Sequence, residues 1–304
     1  MSVDMSVCLG GLSMKNPVTV ASGTFAAGKE YSAFVDVSAL GAVTTKGVSL
    51  NGWAGNESPR IAETPSGMLN SIGLQNPGVE KLIAGDIAWL ATQNVPVIVN
   101  VSGHSVEEYC AVIECLESCE TVNAYEVNIS CPNVDCGGMT FGSDPKVAAE
   151  VVRECRKRTK RPMIVKLTPN VTDITCIAKA VEAEGADALS LINTLLGMAV
   201  DAKRRKPILA RVVGGFSGPA VKPVALRMVW QCYHAVSIPL LGMGGICTGE
   251  DAVEFMLCGA TAVAVGTANF MDPCATIKVI NGIEQYCVEQ GVSDVKELIG
   301  ALQA

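Results

Sequence analysis

Histidine is nearly absent from this 304-residue chain: there are two, His104 and His234. No Cys-x-x-Cys pair occurs among the 13 cysteines. Together these scarcities argue against a zinc site and against an iron–sulfur cluster held by this chain alone. Charge is sparse too, at 17% of residues, and its balance is acidic, with a net charge of -7. A nucleic-acid partner would want a basic face, so that class is disfavoured. No run of about 18 apolar residues exists, so no segment reads as membrane-spanning. The N-terminus, MSVDMSVCLGGLSMKN, lacks the basic-then-apolar pattern of a leader, and the chain reads as cytoplasmic. Disulfides are disfavoured by the odd cysteine count in a long chain. Cys110, Cys155, Cys232 and Cys258 lie in helix-like or apolar settings and read as reduced, buried thiols. Cys110, Cys115 and Cys119 share an apparent helix.

What the sequence does hold is apolar mass and glycine. At 49% hydrophobic it can bury a full core. Its 30 glycines exceed the usual share of about 7% and point to tight turns or to close approach of backbone to a ligand. Eight short, β-branched apolar runs recur: 18–21, 42–45, 97–101, 124–129, 163–167, 188–192, 239–242 and 262–265. Helical periodicity lies between most of them. Val147, Val151, Val152 and Cys155 form one stripe over 147–158, with Arg and Lys crowding its last turn, where the helix dipole favours them. Segments 174–184 and 224–235 read likewise, and Thr248 can cap a helix over 250–257. Eight strands alternating with helices over about 300 residues predict an α/β chain, a (β/α)8 TIM barrel in a single domain spanning 1–304. The rival, a doubly wound open sheet, would want an early G-x-G-x-x-G turn, which Gly10-Gly11 does not provide. Two stretches, 47–94 and 193–237, read as extended loops at the C-terminal mouth of the barrel, the side that carries barrel active sites. The second holds a basic quartet, 203–206, best read as a solvated loop, and a Gly-rich turn, 214–218.

The strand ends are unusually polar. They carry Ser22 after the first run, Lys46-Gly47 after the second, Asn100, Asn128, Lys166, Ile192-Asn193-Thr194, Gly244-Gly245 and Gly266-Thr267. A lone Asn is ordinarily a turn residue and a lone Lys ordinarily reaches for solvent. Several amides and two lysines converging on one barrel mouth mark a functional site. Glycines after the last two strands are placed to hold a phosphate on backbone N–H groups, with Gly218 in the loop before them. A phosphorylated cofactor follows. One lysine beside a flavin ring could stabilise the negative charge of its reduced form, and a second could hold a substrate carboxylate.

Seven segments then carry a family resemblance: NSIGLQNPG (70–78), NISCPN (128–133), VKLTPNVTDI (165–174), INTLLGM (192–198), SGPAVKPVAL (217–226), GMGGI (242–246) and VGTANF (265–270). In this order, over nearly the whole chain, they resemble class 1 dihydroorotate dehydrogenases, and within them the catalytic subunit of the NAD-linked class 1B form. The resemblance implies a barrel that binds FMN and oxidises (S)-dihydroorotate to orotate in de novo pyrimidine (UMP) biosynthesis. It implies FMN contacts at Ser22, Lys46, Gly47, Asn100, Asn128, Lys166, Ile192, Gly218, Gly244, Gly245, Gly266 and Thr267. It places the substrate against Lys46, Asn70, Ser71, Ile72, Gly73, Leu74, Asn128, Asn133, Asn193 and Thr194, with Cys131 as the catalytic base and no metal.

The chemistry suits those residues. Orotate is flat, anionic and rimmed with amide-like groups, which Asn side chains can match with both donors and an acceptor. Its formation removes a proton from one ring carbon and a hydride from the next, so a base must stand on the face away from the flavin. A thiol with a free pKa of about 8.5 can serve if its surroundings lower that value. The quinone-linked class, with an N-terminal extension and Ser at the base position, does not match. The segment after the sixth strand, INTLLGM with RKPIL (205–209) and SGPAVKPVAL, resembles the NAD-linked form rather than the fumarate-linked class 1A form. That form implies a partner subunit carrying FAD and a 2Fe-2S cluster, with a homodimer of catalytic chains inside a heterotetramer. The alternatives are the class 1A enzyme and a dihydropyrimidine dehydrogenase-type flavoenzyme, where His would stand at Asn133. A non-catalytic phosphate-binding barrel is the remaining one, and it has no need of Cys131, Lys46 and Lys166 together.

Overall fold

The computed structural model describes residues 3–130 and 141–303. Eight parallel strands form its central sheet: β1 (Val18–Val20), β2 (Val43–Thr44), β3 (Val97–Val101), β4 (Val122–Asn128), β5 (Met163–Lys166), β6 (Ala188–Leu191), β7 (Leu240–Met243) and β8 (Ala260–Val265). Each strand from β2 to β8 lies beside its successor, and β8 returns to β1. At the remaining seam the Gly41 N–H donates to the Val18 carbonyl at 2.9 Å, and the Thr19 and Thr44 hydroxyls lie 3.2 Å apart. The sheet is therefore nearly closed, and the architecture is the expected (β/α)8 barrel.

The helices form where the sequence supplies an apolar stripe, in most cases behind a side-chain cap. They are α1 (Val106–Leu116), α2 (Pro145–Arg156), α3 (Ile174–Ala183), α4 (Lys222–Tyr233), α5 (Gly249–Leu257) and α6 (Ala275–Gln290). In α2 the Asp144 carboxylate accepts the N–H groups of Lys146 and Val147, Pro145 opens the first turn, and Ala148, Val151, Val152 and Cys155 are buried. Such a cap is worth about 1 kcal/mol; the buried stripe fixes which face meets the barrel. Thr248 caps α5 in a reciprocal box with Asp251. Another helical stretch, over 79–90 and with a wide turn at Ile83–Ile87, precedes β3. The crossover from β1 to β2 departs from the alternation: it holds only two short 3-10 turns, with Phe25 and Tyr31 stacked at 4.2 Å where a helix would pack.

The two long segments are not loops. Strands Ile61–Thr64, Gly67–Asn70, Val213–Ser217 and Leu195–Met198 pair into a four-stranded antiparallel sheet over the mouth. The expected Gly-rich turn at 214–218 is mostly a strand of that sheet. Glycine is needed there for packing: a Cβ on Gly214 would come within 2.7 Å of the Asn70 carbonyl, and one on Gly215 would strike Thr194. At the opposite end a hairpin of Val7–Leu9 and Leu12–Met14 presses on the barrel floor. Its Gly10 has φ +56, and a Cβ there would lie 2.6 Å from the Asp187 carbonyl that leads into β6.

The thiols are mixed in exposure. Cys110, Cys155 and Cys232 are buried as expected, Cys258 is only half-buried, and Cys8, Cys115 and Cys176 are exposed. Cys110 and Cys115 share α1, while Cys119 lies beyond its end. Among the described residues no helix is long and apolar enough to cross a membrane, and no cluster of three or more His, Cys, Asp or Glu could hold a metal.

Candidate active site

A cavity of about 770 Å³ opens at the C-terminal ends of the barrel strands, beneath the antiparallel sheet. Its size suits a cofactor-sized ligand. Strand register builds its polar wall. On β3 and β4, Asn100 pairs with Glu126; on β4 and β5, Asn128 pairs with Lys166; and Lys166 pairs with Ser190 on β6. Paired residues of a parallel sheet share a face, and residues two apart share it too. Asn100, Glu126, Asn128 and Lys166 therefore all point into the barrel.

One end of the cavity is a glycine cradle. Gly218, Gly244 and Gly245 adopt φ of +105, +123 and +89. A Cβ on Gly245 would lie 3.0 Å from the Gly218 carbonyl and 2.8 Å from the Lys222 Cβ. Among the described residues no backbone carbonyl accepts the N–H groups of Gly244, Gly245, Gly266 or Thr267. The Thr267 hydroxyl donates to Ser217 Oγ at 2.9 Å. The nearby Lys222 is engaged elsewhere, 2.6 Å from Asp251 and 2.7 Å from Glu254. Unpaired N–H groups at the ends of β7 and β8 suit a phosphate.

The other end is a rim of amides. Asn128 Oδ1 accepts from the Ser130 N–H at 3.2 Å and from Asn193 Nδ2 at 3.5 Å, while Asn193 Oδ1 accepts the Thr194 N–H at 2.8 Å. Asn70 Nδ2 donates to the Gly215 carbonyl at 3.4 Å. The loop over 71–74 turns through left-handed Gly73 and Leu74 and is fastened by Asn56, whose N–H donates to the Ile72 carbonyl and whose side-chain amide donates to the Ser71 backbone carbonyl. Charge is unevenly spread. The Lys166 ammonium donates to Ser22 Oγ at 3.1 Å and lies 3.5 Å from Glu126 Oε2. Burial holds Lys46 below the ordinary lysine range, and the positive charges of Arg60 and Lys166 push it the same way. The site therefore favours an anion.

All twelve residues expected to meet FMN line this one cavity, as do Asn70 through Leu74, Asn193 and Thr194. Cys131 and Asn133 lie outside the described residues. Sequence reasoning passed over Glu126, although a charge between Tyr125 and Val127 in an apolar strand was the available signal. It also passed over Asn170, whose side chain donates to the Thr194 carbonyl at 3.1 Å and steadies the amide rim. No spacing rule singles out an Asn in that position.

Comparison with known proteins decides the family. The dihydroorotate dehydrogenase family model matches residues 4–287. The chain belongs to the dihydroorotate dehydrogenase family. It is 58% identical over 300 residues to "Dihydroorotate dehydrogenase B (NAD(+)), catalytic subunit" of Alkaliphilus metalliredigens, covering 99% of each chain. It is 58% identical over 299 residues to the protein of that name from Alkaliphilus oremlandii, covering 98% of this chain and 99% of the relative. The Geobacter metallireducens protein of that name is 57% identical over 300 residues, covering 99% and 98%. As a dihydroorotate dehydrogenase the chain is an oxidoreductase.

Proposed function

We propose that this chain is the catalytic subunit of an NAD-linked dihydroorotate dehydrogenase, oxidising (S)-dihydroorotate to orotate with FMN in pyrimidine biosynthesis. The observation that carries the reading is one cavity joining a glycine cradle to an amide rim, with two lysines between them, in a chain of this family. The residues fit FMN on their own terms. Unpaired N–H groups at Gly244, Gly245, Gly266 and Thr267 suit its phosphate, and Lys166 suits the charge of a reduced ring. FMN supplies the hydride acceptor.

The remaining work falls to this chain's residues. Lys46 holds the substrate carboxylate. Asn70, Asn128 and Asn193, with Ser71 through Leu74 and Thr194, meet the amide edges and orient the ring, with Asn133 as a further contact. Cys131 takes the ring proton as its thiolate. The strand end leading to Cys131 is tied to the site, because the Ser130 hydroxyl donates to the Lys166 carbonyl at 2.8 Å.

Electrons then leave through a partner subunit carrying FAD and a 2Fe-2S cluster, with NAD as acceptor. The printed names of the relatives, a catalytic subunit linked to NAD(+), support this. A homodimer of catalytic chains within a heterotetramer, in the cytoplasm, completes the proposal. Exposed apolar side chains on the mouth sheet and its flank, Leu196, Met198, Val200 and Val213, favour subunit contact there. The test is direct. The purified chain should be yellow, and its visible flavin absorbance should bleach when dihydroorotate is added without oxygen. A colourless chain, or a yellow one indifferent to dihydroorotate, refutes the reading.

A further inference from the structure

Only two charged side chains are buried among the described residues, Glu126 and Lys166, and they meet. Glu126 is fully buried on β4. Its Oε2 accepts from Asn100 Nδ2 at 2.5 Å and lies 3.5 Å from the Lys166 ammonium. Its Oε1 accepts from nothing among the described residues. A carboxylate only accepts, so it takes the amino side of the Asn100 carboxamide and turns the oxygen away. That oxygen faces Gly47 and Ser102: a Cβ on Gly47 would lie 2.6 Å from it, and Ser102 Oγ lies 3.5 Å away. Asn100, Gly47 and Lys166 all line the cavity, and Glu126 does not.

We propose that Glu126 is the positioning residue of the cofactor site: its carboxylate pairs with Lys166 and fixes Asn100 with its oxygen toward Gly47. This rests on the FMN reading above. One buried carboxylate thus sets two contacts of opposite character, a cation from β5 and an acceptor from β3. The pairing also gives each buried group a partner, since an uncompensated buried charge is strongly unfavourable.

The experiment compares Glu126→Gln, Lys166→Met and the double variant, as apoprotein and with FMN. Lys166→Met strands the Glu126 charge, and the double variant removes both charges. The apoprotein melting temperature should therefore fall most in Lys166→Met and recover in the double variant. The midpoint potential of bound FMN should be lowest in Lys166→Met, where a lone negative charge opposes the reduced ring, and should rise in the double variant. Glu126→Gln can donate as well as accept, so it no longer fixes Asn100; FMN binding should weaken by about 10- to 100-fold.

A Glu126→Gln apoprotein that binds FMN as tightly as the wild type overturns the proposal. So does a double variant no better than Lys166→Met in both melting temperature and potential. If Glu126→Gln does not fold, Glu126→Asp retains the charge and should keep the potential near that of the wild type; a potential as low as that of Lys166→Met would overturn the proposal. A wild-type chain that takes up no FMN, yet shows the same coupling in apoprotein melting, overturns the cofactor reading and leaves the ion pair standing.

Discussion

Lys46 and Lys166 line the same cavity, but they differ in their company. Lys166 has the Glu126 carboxylate 3.5 Å from its ammonium, whereas no carboxylate among the described residues lies within 4 Å of the Lys46 ammonium. Lys166 is a compensated charge built into the barrel. Lys46 is an uncompensated one, held at the mouth and available to an anionic ligand. Under the proposed function, that difference suits Lys166 to tuning the cofactor and Lys46 to capturing a carboxylate.

Lys46 should make orotate binding fall as pH rises. Burial first, then Arg60 and Lys166, place its folded-state value below the ordinary lysine value. As pH rises through that lowered value the ammonium is lost, and with it the attraction for the substrate carboxylate. Between the lowered value and about 10.4 the unfolded chain holds more protons, so the apoprotein should gain stability with pH there. Titration of orotate dissociation against pH, in wild type and Lys46→Met, checks the binding arm. The wild-type advantage should shrink toward alkaline pH; a constant advantage up to about pH 10 would contradict the assignment.

Gly245→Ala should damage cofactor binding more than folding. The position needs φ +89, and the new methyl would press on the Gly218 carbonyl at 3.0 Å and the Lys222 Cβ at 2.8 Å. Backbone strain of this kind costs about 1–3 kcal/mol. The Gly245 and Gly218 backbones would also be displaced from the cradle. Calorimetry on the apoprotein together with FMN titration separates the two effects. Unchanged FMN affinity would remove this cradle from the phosphate site.

Cys131→Ser should leave FMN bound, because the expected cofactor contacts lie elsewhere. A hydroxyl is a far poorer base than a thiol at neutral pH, so flavin reduction by dihydroorotate should slow by roughly 10²–10⁴. The deficit should shrink at higher pH, and orotate binding should be largely kept. Rapid-mixing spectra at pH 7 measure it. Reduction at the wild-type rate would place the base elsewhere.

The isolated chain should pass electrons from dihydroorotate to dyes but use NAD poorly. Addition of the FAD and iron–sulfur subunit should restore NAD reduction. Efficient NAD turnover by the chain alone would sink the two-subunit reading, and preferential turnover with fumarate would move the chain to the fumarate-linked class.

The sequence by itself determined the barrel and which polar residues gather at its mouth. Buried parallel strands must be continuous apolar runs, so β3 and β5 are legible as VIVNV and MIVK, and polar residues at their ends have only the mouth to occupy. Capped stripes such as 145–156 are legible for the same local reason. Tertiary structure alone decided the rest. The sheet over the mouth is built from four- and five-residue strands containing Gly67, Gly197, Gly214 and Gly215, which look like turn residues until packing against Ser217, Leu69, Asn70 and Thr194, respectively, is seen to require them. Glu126 is likewise ordinary in sequence. Its meaning depends on Asn100 and Lys166, 26 and 40 residues away, and only the register of β3, β4 and β5 brings those three side chains to one face of the barrel.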